Sequence, residues 1–285
     1  MTFSFFIQVL VNGLMLGLTY ALIASGFSLI YGIMRLLNFA HGEFYMLGAF
    51  ATYLICDRLG LNYFSALFLS MVVIALLGVV TYYLFFRPFR DQHDPSLVIA
   101  LGVAMLIGGL APLIFGEKDQ SVSPVFPGVI QFFGATLSLE RIFVIVMALI
   151  LMLALTWLIK YTKIGQAMRA VAQDPEAAAL QGIGVDSTFV RCMAISSALA
   201  GAAGSLLAPL FVVNPYLGTH AVVKALVVVV IGGLVSIPGA VAGGLLLGLV
   251  ESIGNTFLGV ATEILGFVIV MLILIFRPQG LLGHD

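Results

Sequence analysis

Residues 160–191 read KYTKIGQAMRAVAQDPEAAALQGIGVDSTFVR, the longest stretch of the chain without a membrane-grade apolar run. It holds Lys160, Lys163, Arg169 and Arg191, four of the twelve Lys and Arg residues in the protein. Asp174-Pro175-Glu176 reads as a helix start. Asp supplies an N-cap oxygen, Pro at the first helical position lacks only an N–H that would be orphaned anyway, and Glu suits the positive helix end. Ala177, Ala178, Ala179 and Leu180 are good helix formers, and Gly182 with Gly184 stops them. Asp186 offers a second N-cap just before the next apolar run. The stretch predicts a short capped helix held between two membrane spans, on the side that positive charge selects, and so a docking element.

Composition sets the surroundings of that element. The chain has 285 residues, 62% hydrophobic and 9% charged, with a mean hydropathy of +1.19. Soluble domains carry about 25% charged residues, so the polar surface of a water-soluble fold is missing. Apolar runs near twenty residues recur along the chain, each long enough for a bilayer core of about 30 Å. In lipid the backbone must satisfy its own hydrogen bonds, and these runs lack the alternation of barrel strands, so they are helices. The expected fold is all-α: a polytopic integral membrane protein forming one transmembrane domain over residues 1–285, with a coupling loop at about 160–191. A net charge of −1 gives no bulk field for a nucleic-acid partner. Cys56 and Cys192 lack metal-ligand spacing and read as small buried apolar residues. No basic n-region or cleavage site opens the chain, so the first span is expected to serve as its own membrane signal.

Reading outward, Phe3–Met34 is a first span with length to spare, and Gly13 and Gly17 stand at a GxxxG spacing that lets another helix approach closely. Leu36–Cys56 is interrupted early by Asn38, His41, Gly42 and Glu43. Phe64–Phe86, Ser96–Phe115 and Ile142–Ile159 are further spans, with a loop over Glu117–Glu140 that can cover a protein surface. Cys192–Val213, Ala221–Ile237, Gly239–Phe257 and about Glu263–Phe276 complete eight or nine crossings. Lys and Arg favour the side of the 160–191 loop by seven to four before Arg35 is placed, counting Lys224 on the other side, which makes that loop and the C-terminus cytoplasmic. Eight crossings place the N-terminus inside and nine place it outside.

Two breaks in the pattern, Asn38-Phe39-Ala40-His41-Gly42-Glu43 and Gly232-Gly233 with Ser236-Ile237-Pro238-Gly239, look comparable. Interrupted segments at corresponding places in two halves point to an internal repeat with a path between them. A hairpin turn at Pro238-Gly239 fits the second break equally well. His41 and Glu43 read either as a structural cap at a helix start or as lining of a path, since a mid-bilayer charge costs about 2.5–3.5 kcal/mol on insertion scales. Glu251, Ser252, Asn255 and Thr256 share one helix face and suggest a subunit contact or a wet cavity. Glu263 is expected in the first turn of the last span, and Lys224 is expected to snorkel outward.

Chemistry-bearing motifs are missing. There is no P-loop, H-E-x-x-H, G-x-S-x-G or C-x-x-C. His41, His93, His220 and His284 are scattered, so no metal or other cofactor is expected and no residue is a catalytic candidate. No chain of intramembrane acids suggests an ion relay, which argues against a stand-alone carrier or channel. A transport path here is largely apolar, and its energy source lies on another chain.

Glu176-Ala177-Ala178-Ala179-Leu180-Gln181-Gly182 matches E-A-A-x-x-x-G, the cytoplasmic signature of ABC importer permeases, although the I-x-L-P ending of the longer signature is absent at Cys192-Met193-Ala194-Ile195. Gly17-Leu18-Thr19-Tyr20-Ala21-Leu22, Tyr31-Gly32-Ile33-Met34, Asn38–Glu43, Asn214-Pro215-Tyr216, Lys224-Ala225 and the Gly232–Gly239 block closely resemble the branched-chain amino acid permease family. The likeness covers nearly the whole chain and is to the smaller, LivH-type permease subunit. It implies an ABC importer permease fold in a bacterial inner membrane. Its implied partners are a second, different permease subunit, two cytoplasmic ATP-binding subunits that hydrolyse ATP, and a periplasmic or extracellular substrate-binding protein delivering leucine, isoleucine or valine. Urea, short amides and other small carboxylates are the alternative cargo among similar carriers. By the same likeness Asp174, Pro175, Glu176, Ala177, Ala178 and Gly182 form the coupling helix; from the breaks and polar faces read above, Asn38, His41, Glu43, Gly232, Gly233, Glu251 and Asn255 are candidates for the path or for a subunit contact.

Overall fold

The computed structural model describes residues 3–90, 93–132 and 134–283. His284 lies outside them. Eleven α-helices follow one another among the described residues. They are α1 (Phe3–Met34), α2 (His41–Tyr53), α3 (Tyr63–Thr81), α4 (His93–Phe115), α5 (Leu139–Tyr161), α6 (Lys163–Gln173), α7 (Pro175–Leu180), α8 (Val185–Leu207), α9 (Leu217–Gly232), α10 (Ile237–Phe257) and α11 (Thr262–Phe276). A π-helical turn, Leu54–Arg58, extends α2, and a π-helical turn (Tyr82–Phe86) followed by a 3-10 turn (Arg87–Phe89) carries the α3 span on to Phe89. Among the described residues six helices are long and apolar enough to cross a membrane, and two apolar helices, α9 and α11, are shorter. Length explains the division. The 23 residues of α5 or α8 rise about 35 Å, whereas the 16 of α9 rise about 24 Å and fall short of a bilayer core.

The loop after α4 is more ordered than its composition suggests. It holds a two-stranded antiparallel hairpin, β1 (Val129–Phe132) and β2 (Ala135–Ser138). Gln120 bridges to Val213, and Val125 N–H donates to the buried Glu140 carboxylate at 2.9 Å. The loop thus lies over one end of the bundle, as its apolar residues foretold. The other end carries α6 and α7, and is called the α7 end below.

Small residues set the closest contacts. On α1, Gly13 and Gly17 meet Gly244 and Gly248 of α10 so tightly that a Cβ on Gly248 would sit 2.3 Å from the Gly17 nitrogen. The GxxxG reading of α1 holds, and its partner is a second GxxxG. Across the bundle α3 packs on α8 in the same manner. A Cβ on Gly78 would meet the Ser197 hydroxyl at 2.1 Å, and Gly201 faces Ile74. Both pairs run antiparallel. So do α1 and α8, where the Cys192 thiol lies 3.5 Å from the Leu29 carbonyl and Gly26 faces Ser196.

These relations define an inverted repeat of α1–α2–α3 on α8–α9–α10. In each half a long helix ends, an extended connection follows, and a short helix starts inside the bundle. The connections match in detail. The Asn38 side-chain oxygen accepts the Ala40 N–H at 3.1 Å, and the Asn214 oxygen accepts the Tyr216 N–H at 3.0 Å. Three residues beyond each Asn a backbone N–H returns to the Asn carbonyl: His41 to Asn38 at 3.1 Å and Leu217 to Asn214 at 3.3 Å. Gly42 and Gly218 come next, and they touch: a Cβ on Gly42 would lie 2.2 Å from the Gly218 carbonyl oxygen.

The counterpart of Asn38–Gly42 is therefore Asn214–Gly218. Of the two readings of the Gly232–Gly239 break, the hairpin turn is the one observed: it joins α9 to α10 and is not the counterpart of Asn38–Gly42. There Gly233 has φ +107°, Ser236 caps α10 by accepting the Gly239 N–H at 3.0 Å, and Leu281 and Leu282 donate to the Ile231 and Gly232 carbonyls. Proline and glycine signal a chain reversal there, and the reversal is what forms.

Candidate functional site

At the α7 end the sequence-predicted helix is present with its caps. Asp174 accepts the N–H groups of Glu176 and Ala177 at 2.9 and 3.0 Å, and Pro175 occupies the first turn. Gly182 has φ +80°, a conformation glycine adopts without Cβ strain, and the Ile183 N–H closes on the Ala178 carbonyl at 3.0 Å. The amphipathic α6 holds this unit against the bundle by burying Met168 and Val171, and Arg169 donates to the Ile159 carbonyl. Glu176, Ala177 and Gly182 are exposed. Ala178 is buried, so of the expected coupling residues it faces this chain's own core. Sequence reading missed Leu180. Its side chain is 87% exposed at the tip of α7, on a helix too short to meet lipid as the spans do. An apolar residue ending an otherwise polar segment was the available signal.

Asp186 is not the N-cap of α8. Gly184 holds that position and Asp186 lies in the first turn. Its carboxylate accepts the Tyr82 hydroxyl at 2.8 Å and pairs with Arg87 at 3.3 Å and Arg90 at 3.6 Å. This ties the α7-end terminus of α3 to the start of α8, directly after α7. Asp186→Asn keeps an acceptor for the fully buried Tyr82 and loses only half-exposed ion pairs, so it should cost less than about 1 kcal/mol. Asp186→Leu strands the Tyr82 hydroxyl and should cost about 1–3 kcal/mol. Thermal unfolding of the purified chain measures both.

Inside the bundle the polar residues separate into two groups. Asn38, His41 and Glu43 are buried at the start of α2. The N-cap there is Ala40, with no side-chain cap, so the cap reading of His41 and Glu43 fails. His41 donates from Nε2 to the Ile23 carbonyl at 3.0 Å and thereby tethers α2 to α1. Glu43 lies over Gly218, where a Cβ would come within 2.3 Å of its carboxylate. The first turns of α2 and α9 meet there, and their positive ends face an acid that membrane burial otherwise penalises.

The second group faces a cavity of about 510 Å³ between α1, α9, α10 and α11. Lys224 of α9 forms an ion pair with Glu251 of α10, and the Tyr20 hydroxyl of α1 donates to the other Glu251 oxygen at 2.7 Å. Lys224 therefore turns inward instead of snorkelling out, because a nearby acid neutralises it more completely than the interface can. The polar face of α10 divides. Glu251 and Asn255 line the cavity, while Ser252 donates to the Val9 carbonyl at 2.6 Å and Thr256 to its own helix. Glu263 stands in the first turn of α11, as expected, and joins the lining. Asn38, His41 and Glu43 do not line this cavity. Gly233 lines a different one of about 920 Å³ at the α7 end, with Tyr31, Arg35 and Gln279.

Six long apolar helices, two short ones and an ion pair turned into a cavity between helices make this a multi-pass membrane protein. The family model for the branched-chain amino acid transport system / permease component matches residues 9–276. The chain is 35% identical over 298 residues to the high-affinity branched-chain amino acid transport system permease protein LivH of Escherichia coli strain K12, covering 99% of this chain and 97% of that one. It is 34% identical to BraD, the corresponding permease protein of Pseudomonas aeruginosa, covering 98% and 96%. The permease protein LivM of Salmonella typhimurium is a more distant relative, 27% identical over 92% of this chain and 67% of its own. No solved structure matches the chain. The chain belongs to the branched-chain amino acid permease family.

Proposed function

We propose that this chain is the smaller of two permease subunits in an ATP-driven importer of leucine, isoleucine and valine. The observation that carries the reading is α7: a doubly capped helix of six residues, braced by α6 and presenting a bare Leu180 outward. A rigid convex element with an apolar tip suits a cleft on a partner. In this reading the partner is one of two cytoplasmic ATP-binding subunits. A second permease subunit completes the path, and a binding protein delivers cargo from the other side.

Sidedness follows from charge. Arg35 ends α1 at the α7 end, alongside Arg87, Arg90, Lys160, Lys163 and Arg169, and the pairing of Lys224 removes it from the opposite tally. The α7 end is then cytoplasmic in a bacterial inner membrane. In this reading nine segments enter the membrane, the short α2, α9 and α11 among them, and the N-terminus lies outside. Transport proceeds by alternating access. ATP binding closes the ATP-binding subunits, α7 carries that movement into α8, and the Asp186 cluster passes it to α3.

Co-expression with a tagged ATP-binding subunit and the second permease subunit tests this. The chain should co-purify with the ATP-binding subunit, and the reconstituted assembly should import leucine only with ATP and a loaded binding protein. Leucine uptake by this chain alone in liposomes would overturn the reading.

A further inference from the structure

From the Lys224–Glu251 pair, we infer that the cavity between α1, α9, α10 and α11 is a transient binding site for a zwitterionic aliphatic amino acid. The inference rests on the permease reading and names the ligand chemistry of the interior site. Three helices contribute one polar group each, and all converge: Lys224 Nζ on one Glu251 oxygen and the Tyr20 hydroxyl on the other, at 2.7 Å. Asn255 and Glu263 add an amide and a second acid, and Glu263 makes no hydrogen bond or ion pair among the described residues. Thr19, Tyr45 and His220 also line the site, and the remaining wall is apolar, with Leu16, Ile23, Leu207 and Leu217. A volume of about 510 Å³ falls within the range of about 300–1,000 Å³ typical of small-ligand sites.

Charge decides the ligand class. Separating Lys224 from Glu251 leaves two nearly dehydrated charges, and their side chains are only 22% and 7% exposed. A carboxylate alone can take Lys224 only by leaving Glu251 without its cation, whereas an amine alone can sit on Glu263 but cannot open the Lys224–Glu251 pair without a costly unpaired charge. A zwitterion supplies both. Its carboxylate takes Lys224, its ammonium takes Glu251 or Glu263, and the site stays balanced before and after. The aliphatic side chain lies on the leucine-rich wall. Closure of the pair after departure of the ligand resets the site, so binding is weak and brief.

The test uses the assembled transporter in nanodiscs without its binding protein, with millimolar leucine, 4-methylpentanoate (no ammonium) and 3-methylbutylamine (no carboxylate) as probes. Leucine should raise the melting temperature by more than either of the other two. Single variants risk misfolding from an orphaned charge, so the informative change is the double variant Lys224→Met/Glu251→Gln, which stays neutral. It should assemble and hydrolyse ATP in response to loaded binding protein, yet import leucine about 10–100-fold more slowly, the factor expected for lost hydrogen bonds to charged groups. Wild-type import by the double variant, or equal stabilisation by all three probes, overturns the site. An unsubstituted assembly that imports no amino acid overturns the permease reading itself.

Discussion

Leu180→Asp should abolish ATP-driven leucine uptake while leaving the amount of protein in the membrane unchanged. Leu180 is 87% exposed in the isolated chain, so the substitution removes nothing from the fold. In the assembly its burial in a cleft would contribute about 1.5–3 kcal/mol. Aspartate forfeits that and adds the cost of desolvating a carboxylate, so docking should weaken by more than about tenfold at about 1.4 kcal/mol per factor of ten. Neighbouring positions scale this expectation. Gly182→Val forces a β-branched residue into φ +80°, a strain of about 1–3 kcal/mol, although no atom lies within 4 Å to obstruct it. Glu176→Lys sets a cation against the positive end of α7, worth about 0.3–1 kcal/mol. Uptake should fall in the order Leu180→Asp, Gly182→Val, Glu176→Lys, with co-purification of the ATP-binding subunit following the same order. Unaltered uptake in all three would remove α7 from the mechanism.

Gly248→Val should act in the opposite manner, by destroying the bundle. The added Cβ would lie 2.3 Å from the Gly17 nitrogen, 2.4 Å from its Cα and 2.6 Å from the Gly13 carbonyl oxygen. All three are backbone atoms, so no side-chain rotation relieves the clash and α1 must separate from α10. Overpacking costs about 1–3 kcal/mol where neighbours can shift. Here the contact is the most extensive helix pairing in the fold, so the loss should reach the top of that range. The variant should be degraded or recovered only in aggregates, as size-exclusion chromatography of the detergent-solubilised chain would reveal. Gly109→Val is the control. It has no atom within 4 Å of its added Cβ and should behave as the unsubstituted chain.

Much of this architecture is written in local chemistry. The Asp174–Gly182 helix could be read residue by residue because a cap, a proline and a terminating glycine act within one or two turns. The Gly13/Gly17 contact was legible as a spacing, but its partner Gly244/Gly248 was not, since one sequence carries no record of which helix lies opposite. The inverted repeat escaped for a related reason. It rests on two N-x-x-x-G turns, Asn38–Gly42 and Asn214–Gly218, whose intervening residues differ, so the more conspicuous Gly232-Gly233 drew one of the two readings of the second break. Lys224 and Glu251 were each read alone, one as a snorkelling residue and one as part of a subunit contact or a wet cavity. Twenty-seven residues separate them, and only the packing of α9 on α10 brings them together. The principle that an intramembrane charge seeks a partner would have joined them.

The account stands or falls on whether α7 meets an ATP-binding subunit, and one cross-linking measurement decides it. Cys56 and Cys192, both free thiols, are first replaced by alanine, and Leu180→Cys then provides a single reactive site on α7. In the assembled transporter this site should cross-link to an ATP-binding subunit, with a yield that changes when ATP binds, and should resist impermeant thiol reagents applied to intact cells. Labelling from outside the cell, or no cross-link to any nucleotide-binding chain, would contradict the account.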